Sequence, residues 1–105
     1  MMIRMLLAAL VAVNIFAPSA IAGAPAKFDR QQVTVLGIVG AIAVRAIPGG
    51  AITQFTLCDS RCINVVEFNR PSFVAGQSLT VAGTFHQIFS NGLIQARNVV
   101  IVSNK

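Results

Sequence analysis

Two stretches decide the fold: Val33-Thr34-Val35-Leu36-Gly37-Ile38-Val39-Gly40 and its later counterpart Leu79-Thr80-Val81-Ala82-Gly83-Thr84-Phe85. Both are rich in valine, isoleucine and threonine, which is typical of β-strands. Each also carries glycine inside the strand, and such a glycine usually marks a bulge or a sharp bend. Two strands that bend in this way predict a small closed β-barrel.

The rest of the chain predicts a barrel of five antiparallel strands and no helix. The first strand is apolar on both faces, with Val33, Val35 and Val39 on one side and Leu36 and Ile38 on the other. Asp59-Ser60-Arg61 predicts a three-residue hairpin, and Asn91-Gly92 predicts a tight turn with positive φ angles. The predicted strands cover residues 32–45, 52–58, 63–68, 78–86 and 93–102.

The N-terminal region has the composition of an export signal. Arg4 precedes an apolar run that ends before Pro18, and Ala20-Ile21-Ala22 follows as an Ala-x-Ala cleavage sequence. The apolar run is shorter than the roughly 20 residues that span a membrane. The sequence therefore predicts a cleavable signal peptide over residues 1–22, a flexible arm over 23–31 and a barrel over 32–105. The expected location is the bacterial periplasm or the exterior.

Cys58 and Cys62 flank the predicted Asp59-Ser60-Arg61 hairpin and should face each other across it. Opposed residues of antiparallel strands lie within the span of a disulfide, and an oxidising compartment favours its formation. Two alternatives stay open at this point. The cysteines could be free or redox-active thiols, or they could hold a metal, although a zinc site needs two further ligands.

Charge and chemistry favour binding over catalysis. The formal net charge of +5 suits an anionic partner such as nucleic acid, acidic lipid or acidic protein, but the basic residues are spread singly, as solubility alone would require. His86 is the one histidine, and no nucleophile, base and acid can be assembled around it. We therefore predict that the protein is not an enzyme and needs no cofactor.

The order of the strand and turn motifs resembles the OB-fold domains of the anticodon-binding type in aminoacyl-tRNA synthetases. The matching motifs run from Val33-x-Val35-x-Gly37 through Phe55-x-Leu57-x-Asp59 and Gly76-x-x-Leu79-x-Val81-x-Gly83 to Asn91-Gly92-Leu93. The chain also resembles the small exported bacterial OB-fold proteins and the haem chaperone of cytochrome c maturation. A single histidine and the lack of tyrosine argue against haem carriage.

The resemblance implies a binding surface on the second and third strands and the loops beside them. Its predicted residues are polar, basic or aromatic side chains expected to face outward: Arg45, Gln54, Thr56, Arg61, Asn64, Phe89 and Arg97. The implied ligand is an oligonucleotide or another anionic molecule. The competing prediction is a protein-interaction or structural module of a bacterial envelope assembly or stress response, which would use Leu36, Ile38 and Phe89.

Overall fold

A computed structural model describes residues 14–103, of which most belong to strands. Within this range the chain forms six strands and two short helices. In chain order these are β1 (Ile15–Phe16), α1 (Pro18–Ala22), α2 (Pro25–Phe28), β2 (Gln32–Ile47), β3 (Gly50–Cys58), β4 (Cys62–Glu67), β5 (Ser78–Ser90) and β6 (Gln95–Val102). The five strands predicted from the sequence correspond to β2 to β6. None of the helices in the described range is long and apolar enough to cross a membrane.

The six strands form one sheet whose main part closes on itself. The order is β1-β2-β3-β4-β6-β5, and a further pairing of β2 with β5 joins the ends into a closed ring of five strands. The prediction of five strands that are all antiparallel is wrong, because β1 adds a sixth and the β1–β2 and β4–β6 pairs are parallel. Strand β6 is antiparallel to β5, and β5 is antiparallel to β2, so β6 runs in the same direction as β2. Strand β4 also runs in the same direction as β2, because both are antiparallel to β3, and β4 and β6 are therefore parallel.

The glycines predicted to bend the first and fourth strands lie close to the points where each strand changes partner. Strand β2 pairs with β5 up to Ile38 and with β3 from Ile38 onward, and a bulge follows between Val39 and Ile42. Strand β5 pairs with β2 up to Thr84 and with β6 from Gly83 onward. The two long strands therefore turn from one neighbour to the next at their glycines, which closes the ring.

The apolar side chains form two clusters. The larger one fills the ring and includes the fully buried Val35, Leu57 and Phe85. The smaller one joins Ile52, Val66, Ile94 and Val99 near the ends of β3 and β4. As predicted, β2 is apolar on both faces, but only the valine side is buried, since Leu36 and Ile38 are each 46% exposed.

Two connections differ in detail from the sequence expectations. Asn91 and Gly92 are not among the residues with positive φ. Instead the side-chain oxygen of Asn91 accepts hydrogen bonds from the backbone N–H groups of Leu93 and Ile94, so the amide side chain stabilises the turn. Strand β6 consequently begins at Gln95 rather than at Leu93. Residues 69–77 contain no helix, and Phe73 from this connection is buried in the larger cluster.

Part of the predicted signal peptide is folded onto the strand ring. Met1–Val13 lie outside the described residues, but β1 pairs with β2 and α1 carries the fully buried Ile21. The predicted flexible arm contains α2, whose Phe28 is buried and contacts Phe16 edge to face at 5.0 Å between ring centroids. Signal-peptide cleavage and the flexibility of the arm both stay predictions.

Cys58 and Cys62 are register partners across the β3–β4 hairpin, as predicted. Their sulfur atoms are 1.98 Å apart and their Cα atoms 4.1 Å apart, which is a disulfide rather than a thiol pair or a metal site. We expect the Cys58→Ser/Cys62→Ser double variant to lose about 2 kcal/mol of unfolding free energy, because the bond closes only a small loop in the unfolded chain. Urea unfolding of both proteins measures this loss. An unchanged midpoint would contradict it.

Candidate ligand-binding groove

An open groove of about 350 Å³ crosses the outer face of β2, β3, β4 and β6. Its floor and walls combine small apolar residues with neutral hydrogen-bonding side chains. The small residues are alanines of β2 and β6, which keep the groove open because they carry only a methyl group. The hydrogen-bonding side chains come from β3, β4 and β6. The lining includes Ala41, Ala43, Ala96, Gln54, Thr56, Asn64 and Gln95.

Strand register places these polar side chains beside one another. Thr56 of β3 is the direct partner of Asn64 of β4, and Gln54 lies two residues along β3 on the same face. The side-chain amide of Asn64 donates a hydrogen bond to the backbone carbonyl of Arg97 at 2.7 Å, which ties β4 to β6. The groove can therefore both donate and accept hydrogen bonds.

None of the three carboxylates of the chain lines the groove. The nearest of them along the strands is Glu67, which ends β4 and pairs with Thr53 of β3. Partial burial raises the pKa of Glu67 above its ordinary value. Among the residues that the structure describes, no three His, Cys, Asp or Glu side chains gather where they could hold a metal ion. The lining of the groove thus consists of uncharged side chains, several of which can form hydrogen bonds.

The structure brings three of the seven predicted site residues together in the groove: Gln54, Thr56 and Asn64. Arg97 lies beside the groove on β6, is exposed, and is linked to Asn64 through its carbonyl group. Arg45 is held differently, because its guanidinium donates a hydrogen bond to the carbonyl group of Leu93. Arg45 therefore joins the outer end of the β2–β3 hairpin to the connection between β5 and β6.

Phe89 and Arg61 do not belong to the groove lining. Phe89 is half-buried, packs against the smaller apolar cluster, and has its ring centroid 5.2 Å from that of His86. Its predicted role as a ligand contact stays a prediction. Arg61 lies in the Cys58–Cys62 hairpin turn, where its guanidinium is next to Gly23.

Sequence reasoning missed Gln95 and the three groove alanines. Gln95 lies two residues before Arg97, so strand alternation from Arg97 could have indicated it. Ala41, Ala43 and Ala96 carry no polar atom that would mark them as ligand contacts. Their role in the groove depends on which strands are neighbours, and this is a property of the closed sheet.

The comparisons with known proteins show a likeness of fold. No family model and no curated protein matches the chain. Among solved structures, the chain is similar to RecG bound to a three-way DNA junction, with a TM-score of 0.56 and 17% sequence identity. The match covers 88% of this chain but only 13% of that chain. The chain thus resembles in fold a small part of a protein whose structure was solved with DNA bound, and at this identity the likeness concerns the β-rich fold alone.

Proposed function

We propose that this protein is an exported, non-enzymatic OB-fold binding module whose groove takes an extended anionic ligand, with a single-stranded oligonucleotide as the ligand class. The observation that carries the proposal is the open groove across β3 and β4. In OB-folds the corresponding strands and their adjacent loops bind oligonucleotides and oligosaccharides. Export is part of the proposal and rests on the composition of residues 1–22 and on the Cys58–Cys62 disulfide.

The groove chemistry supports a ligand held mainly through its backbone. Gln54, Asn64 and Gln95 can hydrogen-bond to sugar hydroxyls or base edges, and Arg97 supplies positive charge at the border. Strong non-specific single-strand binders add aromatic side chains on which bases stack. No such ring is free in this groove, where Phe55 is buried. We therefore expect modest affinity that falls as the salt concentration rises.

A titration of the full chain with a fluorescent oligothymidylate at two salt concentrations tests the proposal. Counterion release makes the affinity for single strands fall with a logarithmic slope of about 0.7 for each neutralised phosphate. We expect Arg97→Ala to weaken binding severalfold and to reduce this slope by about 0.7. The matched control is Arg70→Ala, which removes the same charge from an exposed residue outside the groove.

Two results would contradict the oligonucleotide proposal. One is the lack of any binding at low salt. The other is an equal effect of Arg97→Ala and Arg70→Ala, which would show that binding depends only on the overall charge of the protein and not on the groove. The alternative function, a protein-interaction module, is favoured by the exposed Leu36 and Ile38 on β2. Binding to a protein through these side chains would respond little to salt and would be lost in Leu36→Ser/Ile38→Ser.

A further inference from the structure

One end of the strand ring is closed by the N-terminal segment rather than by the ring itself. We call Ile15–Ala22 the N-terminal plug. Its Ile21 is 0% exposed and belongs to the same apolar cluster as Leu57 and Ile63. Its Pro18 is buried so closely against β2 that a Cβ atom on Gly37 would lie 2.8 Å from the Pro18 Cγ. This apolar contact covers surface that the ring would otherwise expose.

A polar contact fixes the plug to the β3–β4 hairpin. The backbone N–H of Ser19 donates to Asp59 Oδ1 at 2.9 Å, and the Ser19 hydroxyl donates to Asp59 Oδ2 at 2.7 Å. The hydroxyl bond is the main cause that lowers the pKa of Asp59 below its ordinary 3.8, so the carboxylate is charged at neutral pH. The contact is therefore present at neutral pH and is weakened only when the pH falls through the lowered pKa of Asp59.

Asp59 itself lies inside the loop that the disulfide closes. Cys58 and Cys62 bracket Asp59, Ser60 and Arg61, and the backbone N–H of Asp59 donates to the carbonyl group of Arg61 at 3.0 Å. The covalent bond limits the conformations of this short loop and so keeps the carboxylate in position for Ser19. The oxidation state of the two cysteines and the position of the plug are thus connected through one side chain.

We propose that the N-terminal plug is a redox-sensitive closure of the strand ring. Asp59 binds the plug through its two hydrogen bonds from Ser19, and the Cys58–Cys62 disulfide holds Asp59 in place. A dithiol reductant converts the disulfide into two thiols: it supplies two electrons and two protons and becomes a cyclic disulfide itself. The freed loop then no longer holds Asp59 against Ser19, and the plug detaches from the ring end.

The plug also contains the Ala20-Ile21-Ala22 sequence, which gives the closure a consequence for processing. The N–H of Gly23 donates to the carbonyl group of Ser19 at 2.9 Å, so the Ala22–Gly23 bond lies in a helical turn next to a buried side chain. Cleavage requires local opening of hydrogen-bonded and buried backbone. The closed plug protects this bond, and reduction of the disulfide exposes it.

Residue-resolved amide hydrogen exchange of the full chain tests the closure. With dithiothreitol present, we expect exchange at Gly23 and Ala24 to rise at least tenfold, while Val99 and Val100 in β6, which pairs with β4 and β5 and not with the plug, keep their protection. Ser19→Ala and Asp59→Ala should produce the same local increase in the oxidised protein. Asp29→Ala is the matched control, because Asp29 also accepts a backbone hydrogen bond, at 2.8 Å from Gln87, but does not contact the plug.

Two outcomes would overturn the proposal. Unchanged exchange at Gly23 and Ala24 after reduction would show that the disulfide does not hold the plug. A simultaneous loss of protection at Val99 and Val100 would show that the plug and the ring open as one unit. Neither outcome depends on an oligonucleotide, so the proposed function and this closure can fail independently.

Discussion

Gly83→Ala is expected to destabilise the protein by at least about 3 kcal/mol, at or beyond the upper end of the usual cost of overpacking. A Cβ atom on Gly83 would overlap the carbonyl oxygen of Ile101 on β6 and lie 2.8 Å from the carbonyl carbon. Both atoms are backbone, so no rotamer change can make room. Gly83 also pairs with β2 on its other side, which prevents β5 from moving away. The loss is measured by urea unfolding followed by far-UV circular dichroism.

Two other glycines provide controls for this result. A Cβ atom on Gly92 would have no atom within 4 Å, so Gly92→Ala should change the unfolding free energy by no more than about 0.5 kcal/mol. At Gly40 the overlapping atom is the hydroxyl oxygen of Thr56, a side chain that can rotate. The loss of unfolding free energy in Gly40→Ala should therefore lie between the losses in Gly92→Ala and Gly83→Ala. Equal midpoints for Gly83→Ala and Gly92→Ala would show that the β5–β6 approach is not as close as described.

Phe85→Ala is expected to cost about 3–5 kcal/mol, because it removes a large buried aromatic side chain and leaves a cavity. Phe85 is 0% exposed and is one of the largest fully buried side chains in the described range. Small domains have a total stability of only about 5–15 kcal/mol, so this variant should be close to unfolded at room temperature. Thermal unfolding of the purified full chain gives the shift in Tm.

The matched control is Ile88→Ala on the same strand. Ile88 is 64% exposed, so its truncation leaves no buried cavity and should change the unfolding free energy by less than about 0.5 kcal/mol. A small effect of Phe85→Ala, similar to that of Ile88→Ala, would contradict the position of Phe85 in the centre of the strand ring. A large loss of stability in both variants would indicate that the exposed face of β5 is buried against another molecule.

Residues close together in the chain account for the expectations that were confirmed. Alternating valines around Val33 and Val81 predicted β2 and β5, and three polar residues between Cys58 and Cys62 predicted the hairpin and its disulfide. Alternation along β3 and β4 also indicated Gln54, Thr56 and Asn64 as outward-facing residues of one surface. These signals depend on the two-residue period of a strand and on turn length, which a short window of sequence contains.

Contacts between distant segments could not be predicted from the sequence. The sequence predicts Arg45 and Phe89 as ligand contacts, and it does not show that Arg45 donates to the carbonyl group of Leu93 or that Phe89 packs against the smaller apolar cluster. Each of these partners belongs to another strand or connection. Side-chain type alone could not reveal that the partner was there.

Local patterns were therefore sufficient for the main strands, the hairpin and the cysteine pair of this protein. Tertiary structure alone decided that β2 pairs with β5, that β6 runs parallel to β4, and that Pro18–Ala22 closes one end of the ring. The physical reason is that these arrangements minimise exposed apolar surface and unpaired backbone groups over the whole molecule. Such a global balance has no signature within any one segment.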